Sequence, residues 1–424
     1  MSTPGRPKGE YRSAQREGTP VSTPWVALRD VVEPRPGTLN PAAWPDDPFT
    51  YIDVAGVCNK QKAITGARTL KGAEAPSRAR RQIRHGDVLV STVRPNLNAV
   101  ALVPESLDGE VASTAFCVLR ATPAVLPQYL YFFVRSRLFV SRLCKLVAGA
   151  LYPAVTDAQV LAQTLPLPDL QQQRRIVDLL SCAQSVLRLR RDIQKNTARM
   201  IPALFNDMFG NSMTNPKGWP VVSLGSLLQE SPQNGLYKHK SAYGSGTPIL
   251  RIDAFYDGEI CDLTALKRLR LDDDEALRFA LAPGDIVINR VNSPEYLGKS
   301  TLIPALAETT VFESNMMRLR LDTAQIDPRY MISMLQTQRA KQHIRANARR
   351  AINQASINQQ DVKSMPVLLP PLARQSAFAR CADATTAVIA KQAEALIAAE
   401  ATFEALLARV FQPMKAAAGT AASA

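Results

Sequence analysis

Chemistry-bearing motifs are scarce in this sequence. No Cys-x-x-Cys occurs, so neither a zinc ribbon nor a redox pair is written in it. There are three histidines, His85, His239 and His343, and none lies near another His or a Cys at metal-ligand spacing. A P-loop, a Gly-x-Gly-x-x-Gly fingerprint and a Gly-x-Ser-x-Gly elbow are all missing. The glycine-containing loop Tyr243-Gly244-Ser245-Gly246 matches nothing sharper. No run of 18 apolar residues is present, which predicts no transmembrane helix. The first 20 residues lack the apolar stretch of a signal peptide and read as a disordered leader, and residues 413–424 read as a flexible tail. Six scattered cysteines predict buried free thiols in a reducing cytoplasm. The acidic run Asp272-Asp273-Asp274-Glu275 reads as a solvated helix start, not a metal site. With no catalytic constellation and no metal set, the chain is expected to bind, not to catalyse.

What the chain has is a duplication. Gly86-Asp87-Val88-Leu89-Val90 returns as Gly284-Asp285-Ile286-Val287-Ile288. In the same order, Ile52-Asp53 answers Ile252-Asp253, Pro127 and Tyr129 answer Pro328 and Tyr330, and Leu170 and Gln173 answer Leu372 and Gln375. The offset stays near 200 residues, far beyond the roughly 20–50 of a solenoid repeat, so a whole unit is copied. The runs Val88–Val93 and Ile286–Val291 are β-branched and follow a Gly-Asp turn, which predicts strands. Ala99–Val103 and Ser300–Ile303 are read as their hairpin partners, and Gln128–Lys145 and Arg329–Ala346 as helices. Each copy is therefore α+β.

Each copy closes on a proline-marked turn and a long helical stretch. Residues 171–209 hold a single proline, Pro202, and no glycine, while residues 373–411 hold neither. Ile176, Leu179, Ala183, Val186, Ile193, Met200 and Leu204 recur at heptad-like spacing in the first. In the second the stripe is Phe378, Thr385, Val388, Ala395, Phe403, Leu406 and Val410. This alternation is the pattern of a helix-pair seam. About 39 residues at ~1.5 Å each make a rod of about 60 Å, whose apolar stripe needs a partner. The other copy's helix is the expected partner; packing on the helix's own globular part is the alternative. Arg190 falls in the seam, which requires it to be paired or to snorkel.

The formal charge is +14. Residues 1–165 carry net +7, residues 166–216 and 217–366 carry +3 each, and the remainder +1. A basic excess in the globular parts points to a polyanion, most simply nucleic acid.

At this point the chain resembles one family, the specificity subunits of type I restriction-modification systems. The resemblance runs from Trp25 to Phe411 and rests on Gly86-Asp87-Val88-Leu89 with Arg94-Pro95, on Gly284-Asp285-Ile286-Val287 and on Ala75-Pro76-Ser77-Arg78-Ala79. It rests also on Pro168 to Gln173, on Pro370 to Gln375, and on the closing Asn206-Asp207-Met208-Phe209 and Val410-Phe411. Asp169 departs from the pattern, standing where the second copy has Pro371.

The resemblance implies two tandem target-recognition domains, residues 21–165 and 217–366, with spacer helices over 166–216 and 367–412. The helices would pair as an antiparallel coiled coil, in a pseudo-two-fold arrangement. Each domain would read half of a bipartite double-stranded DNA target, and the helices would fix the gap and dock two methyltransferase subunits. Restriction subunits would join them. S-adenosylmethionine, ATP and magnesium would sit on those partners, with no cofactor or metal in this chain, in the cytoplasm and away from membranes.

Arginine suits guanine and Asn or Gln suits adenine in the major groove, so basic and amide residues in loops are the candidate DNA contacts. In the first copy these are Lys60, Gln61, Lys62, Arg78, Arg80, Arg81, Arg94 and Asn96. The second copy offers Lys238, Lys240, Asn289, Arg290, Asn292, Lys299, Arg349, Arg350 and Asn353. Arg80-Arg81 and Arg349-Arg350 are read as phosphate contacts. For each residue the alternative is a solvated surface charge. For the chain the alternatives are a DNA-recognition module of another modification or phage-defence complex, a fused enzyme with a cryptic motif, and a pure scaffold.

Overall fold

The computed structural model describes residues 23–34, 37–147, 152–197, 199–256, 258–260 and 262–412. The expected leader, the expected tail and Cys261 lie outside them. The described residues form two compact units with mixed helix and strand. One holds the chain up to Leu189 and from Leu396 onward; the other holds Arg190–Ala395.

In the first unit, strand Trp25–Ala27 pairs antiparallel with Thr164–Pro166, which closes the start of the globular part on its end. Strand Val88–Ser91 lies between Val100–Leu102 and Phe116–Leu119, antiparallel to both. A four-stranded sheet runs in the order Arg68–Lys71, Pro48–Ile52, Val111–Ser113, Ala79–Gln82, with Tyr51 opposite Val111 in a parallel pair. The second unit repeats the scheme. Val221–Ser223 pairs with Pro366–Leu368, and Ile286–Asn289 lies between Ser300–Leu302 and Met316–Leu319. Ile249 faces Val311 in the matching parallel pair.

The repeated Gly-Asp turn has a physical reason. Gly86 and Gly284 take φ of 84° and 90°, a region open to glycine and costly for other residues. The aspartate that follows is buried at the strand entrance. Asp87 accepts Nε and Nη2 of Arg120 at 2.9 and 2.7 Å and the Arg84 amide at 2.8 Å. Asp285 accepts Nε of Arg320 at 3.2 Å and the Ala282 amide at 2.9 Å.

A second repeated device ties each long helix to its globular part. The fully buried Gln173 accepts the Leu126 amide at 2.9 Å and donates to the carbonyls of Ala124 and Pro168. Its counterpart Gln375 accepts the Asp327 amide at 2.9 Å and donates to the carbonyls of Gln325 and Pro370. Tyr129 and Tyr330 add hydroxyl bonds to the carbonyls of Pro166 and Leu368, at 2.8 and 2.7 Å. Asp169 earns its departure from the proline pattern: its carboxylate accepts the Gln172 amide at 2.8 Å and caps the helix.

Several expectations are corrected. The stretches read as single helices over 128–145 and 329–346 are each two, Pro127–Arg135 with Arg137–Leu146 and Pro328–Leu335 with Gln338–Asn347. Ser136 and Thr337 cap the second member of each pair, bonding the amides of Phe139 and Ala340. The first long helix is Leu170–Thr197 followed by Met200–Phe209, while the second runs unbroken from Leu372 to Phe411. The break falls one turn before Pro202, where a proline ring crowds the preceding turn. Of the cysteines read as buried thiols, Cys182 and Cys381 are exposed on the long helices, and Cys117 is buried.

The seam register also shifts. Leu179, Val186, Ile193, Met200 and Val388 are exposed by 41–49%. Ile176, Ala183, Leu204, Thr385, Ala395, Leu406 and Val410 are half-buried, and Phe378 and Phe403 are buried. In the first unit the buried apolar positions of the helices are Leu180, Leu187, Leu396, Phe403, Leu407 and Phe411, in one core with Tyr129, Phe132 and Phe133. The Phe411 ring meets Tyr129 and Phe133 at 5.4 and 5.5 Å. In the second unit Phe205, Phe209, Phe378 and Ala382 share a core with Tyr330. The helices thus bury a face wide enough for a globular part as well as for each other's segments, and a two-position stripe misses its edges. Arg190 is paired, donating to Gln392 Oε1 at 3.0 Å.

Candidate nucleic-acid interface

In the first unit, Lys60, Gln61 and Lys62 form the turn between the short strands Val57–Cys58 and Ala63–Ile64. Lys60 and Gln61 are exposed, whereas Lys62 is drawn inward. Its ammonium donates to the Asn98 carbonyl at 2.6 Å, and its own carbonyl accepts the Tyr131 hydroxyl at 2.9 Å. This tie brings the turn beside the loop that carries the exposed Arg94 and Asn96. Burial first, then the Arg135 guanidinium, push the Lys62 ammonium down to about 8, against the pull of Glu404.

A pH effect follows. Between about pH 8 and the ordinary lysine value of 10.5, the unfolded chain binds a proton at Lys62 that the folded chain does not. Stability therefore rises with pH across that window through this residue. Chemical denaturation at pH 8 and pH 10 should show a rise that Lys62→Met reduces; an equal rise in both proteins would remove Lys62 as its source.

The remaining candidates of this unit separate. Arg78 is exposed, and Arg80 is half-buried with Nη1 on the Ala79 carbonyl. Arg81, read as a phosphate contact, is paired with Asp157 at 2.5 Å, both side chains partly exposed. A carboxylate of the same unit already neutralises it.

In the second unit, Lys238 and Lys240 line a cleft of about 480 Å³ together with Tyr237, Tyr243, Arg251, Lys267, Glu313, Ser314 and Asn315. Lys238 pairs with Glu275 at 2.7 Å, on the helix Asp273–Arg278 whose start Asp272 caps. Tyr237 is 79% exposed. Burial raises the affinity of Glu313 for its proton, opposed by the Ile252 amide it accepts and by Arg251 at 3.5 Å. A second cleft is lined by Asn234, Arg290, Asn358, Gln359, Gln360 and Lys363, all amides or cations. Arg290 is held there through Nη1 on the Ser314 carbonyl at 3.0 Å. The same stretch, Ser314–Asn315, lines the first cleft.

Arg349, Arg350 and Asn353 lie on a β-hairpin, Arg349–Ala351 with Gln354–Ser356, which pairs onward to Val291–Asn292. Arg349 is tied to Asp361 at 2.7 Å, next to the cleft residues Gln360 and Lys363, and Arg350 is exposed. Asn292 is half-buried and accepts the Ser293 amide.

Two candidates are corrected outright. Asn289 is fully buried in its strand and cannot reach a ligand outside. Lys299 donates to the Ile252 carbonyl at 2.6 Å and lies 4.9, 3.9 and 5.4 Å from the ring centres of Phe255, Tyr256 and Tyr296. That enclosure holds the side chain by cation–π attraction.

Sequence reasoning missed Tyr237, Arg251, Lys267 and Asn315 in one cleft, and Asn234, Asn358, Gln359, Gln360 and Lys363 in the other. A signal existed for the last group. Asn358 and Asp361 form a capping box, as Thr156 and Gln159 do in the first unit, so the repeat places Gln359-Gln360 on a helix start.

No helix among the described residues is long and apolar enough to cross a membrane. The family model for the Type I restriction modification DNA specificity domain matches residues 71–196. The StySPI type I restriction enzyme specificity subunit of Salmonella potsdam is 26% identical over 325 residues, 73% of this chain and 70% of that protein. The EcoKI specificity subunit of Escherichia coli K12 is 26% identical over 291 residues, 65% of this chain and 62% of that protein. A chain solved in work on complex assembly and conformational transition of the type I R-M system superposes with a TM-score of 0.62 at 27% identity. The match covers 93% of this chain and 98% of that one.

Proposed function

The chain belongs to the family of type I restriction-modification specificity subunits, and from that premise we propose how its residues divide the work of DNA recognition. Each globular part, residues 21–165 and 217–366, reads one half of a bipartite duplex target. The observation that carries this is the repeated framework with donor-rich surfaces on each copy. In the second unit these are two clefts and a hairpin dominated by Asn, Gln, Lys and Arg. In the first they are the loops with Lys60, Gln61, Arg94 and Asn96. Amides and guanidinia can read base edges, while lysines set register on phosphates.

The long helices act as a spacer, pairing as an antiparallel coiled coil about a pseudo-two-fold axis. Two contacts support the direction. Arg135 joins Gln184 and the Phe403 ring within the first unit, and Arg190 joins Gln392 within the second. Rising numbers on one helix meet falling numbers on the other. Their exposed apolar residues, among them Leu179, Val186, Leu189 and Val388, suit the docking of two methyltransferase subunits. Adenine methylation with S-adenosylmethionine and ATP-driven restriction with magnesium belong to those partners and to the restriction subunits. This chain supplies specificity without catalysis.

The test is the salt dependence of target binding by the assembled methyltransferase. Binding should weaken steeply with salt as counterions are released. Lys240→Ala with Lys267→Ala should weaken it for all sequences alike and make the log–log slope shallower by roughly 2. A flat salt dependence in the parent would contradict duplex DNA as the ligand.

A further inference from the structure

Ile352 is 94% exposed, and no other large hydrophobic residue among the described ones is as bare. It occupies the first position of the two-residue turn that joins Arg349–Ala351 to Gln354–Ser356, with Asn353 at φ 61° completing the reversal. The base of this hairpin is fixed. Ala355 and Ile357 are buried, Ser356 and Ala355 pair with Val291 and Asn292, and Arg349 is tied to Asp361. The turn is therefore a bare β-branched side chain on an anchored stem, not a loose loop.

The surroundings select the partner. From Pro328 to Gln360 the chain holds six Lys or Arg residues and no Asp or Glu. Beside the apolar tip stand Arg350, Asn353 and Gln354, all exposed donors. A protein partner would favour an apolar patch around Ile352, and none is present on the hairpin. A cationic stem with one apolar point matches duplex DNA, in which an apolar side chain can enter between base pairs while cations hold the phosphates.

We propose that Ile352 is a wedge that enters a base step of the half-site read by the second unit, with Arg350 holding the flanking phosphate. It thereby discriminates by how easily that step unstacks, since pyrimidine–purine steps open more readily than others. This rests on the DNA-reading role proposed above and adds to it a residue and a mode of readout.

The experiment uses the full chain assembled with its methyltransferase subunits and duplexes of the methylated target. 2-Aminopurine is placed in turn at each position of the second half-site, and binding is measured separately by filter retention. In the parent, one step should brighten on binding. Ile352→Ala should abolish that brightening and weaken binding by about ten-fold. Ile352→Leu should keep both, and Arg350→Ala should weaken binding while keeping the brightening. Brightening that survives Ile352→Ala, or tight binding with no brightened step in the parent, overturns the wedge and leaves DNA reading intact. Failure to bind any duplex overturns the reading role and the wedge together.

Discussion

Asp87→Ala should destabilise the protein by about 3–5 kcal/mol, the cost of stranding one partner of a buried ion pair. Asp87 is 1% exposed and the Arg120 side chain 11% exposed, so solvent can replace little of what is lost. The fork of Arg120 onto both carboxylate oxygens would vanish, and the Arg84 amide would lose its acceptor. Glu33, at 3.6 Å and half exposed, is the only other carboxylate paired with Arg120 among the described residues. Asp87→Asn should cost less, because an amide oxygen still accepts from the Arg84 amide. Urea unfolding of the full chain measures both. A parent-like midpoint for Asp87→Ala would show that the repeated Gly-Asp turn does not hold the strand entrance.

Inserting four residues into each long helix should lengthen the unread gap of the target by about two base pairs and leave both half-sites unchanged. Four residues add ~6 Å of rise, and base pairs are spaced by ~3.4 Å. The insertion points belong in Arg188–Asp192 and at the facing Gln392, where Arg190 meets the other helix. Specificity would stay with the side chains of the globular parts, since nothing in their frameworks changes. A target with altered bases after this insertion would contradict the division between reading and spacing.

The duplication was legible because its anchors are conformational necessities. A positive φ needs Gly86 and Gly284, and the buried Asp that follows needs its arginine. Gln173 and Gln375 were visible as a recurring pair, though only the structure shows them clasping the loops ahead of the helices at Pro127 and Pro328. Helix breaks at Ser136 and Thr337 were hidden, since the apolar pattern continues across them and a single hydroxyl cap decides the matter. Five of the seam residues read from the sequence, Leu179, Val186, Ile193, Met200 and Val388, are exposed, while the other nine are half-buried or buried. Leu180 and Leu187 are buried beside the exposed Leu179 and Val186, because one helix face serves both a globular part and a helix segment.

Site residues were harder still. A sequence lists cations without their partners. Arg81 goes to Asp157, Lys299 to three aromatic rings, and Asn289 into a strand interior. Conversely, Asn234, Arg290 and Lys363 come from distant stretches and meet only in the fold. Ile352 looks in the sequence like one more core residue.

The central claim, one half-site per globular part, is tested most directly by exchanging residues 217–366 for the matching stretch of a relative and sequencing the methylated adenines of a host carrying the hybrid complex. One half of the methylated motif should change to the relative's, while the other half and the gap between them stay as in the parent. A motif altered in both halves, or one that stays as in the parent throughout, would contradict the account.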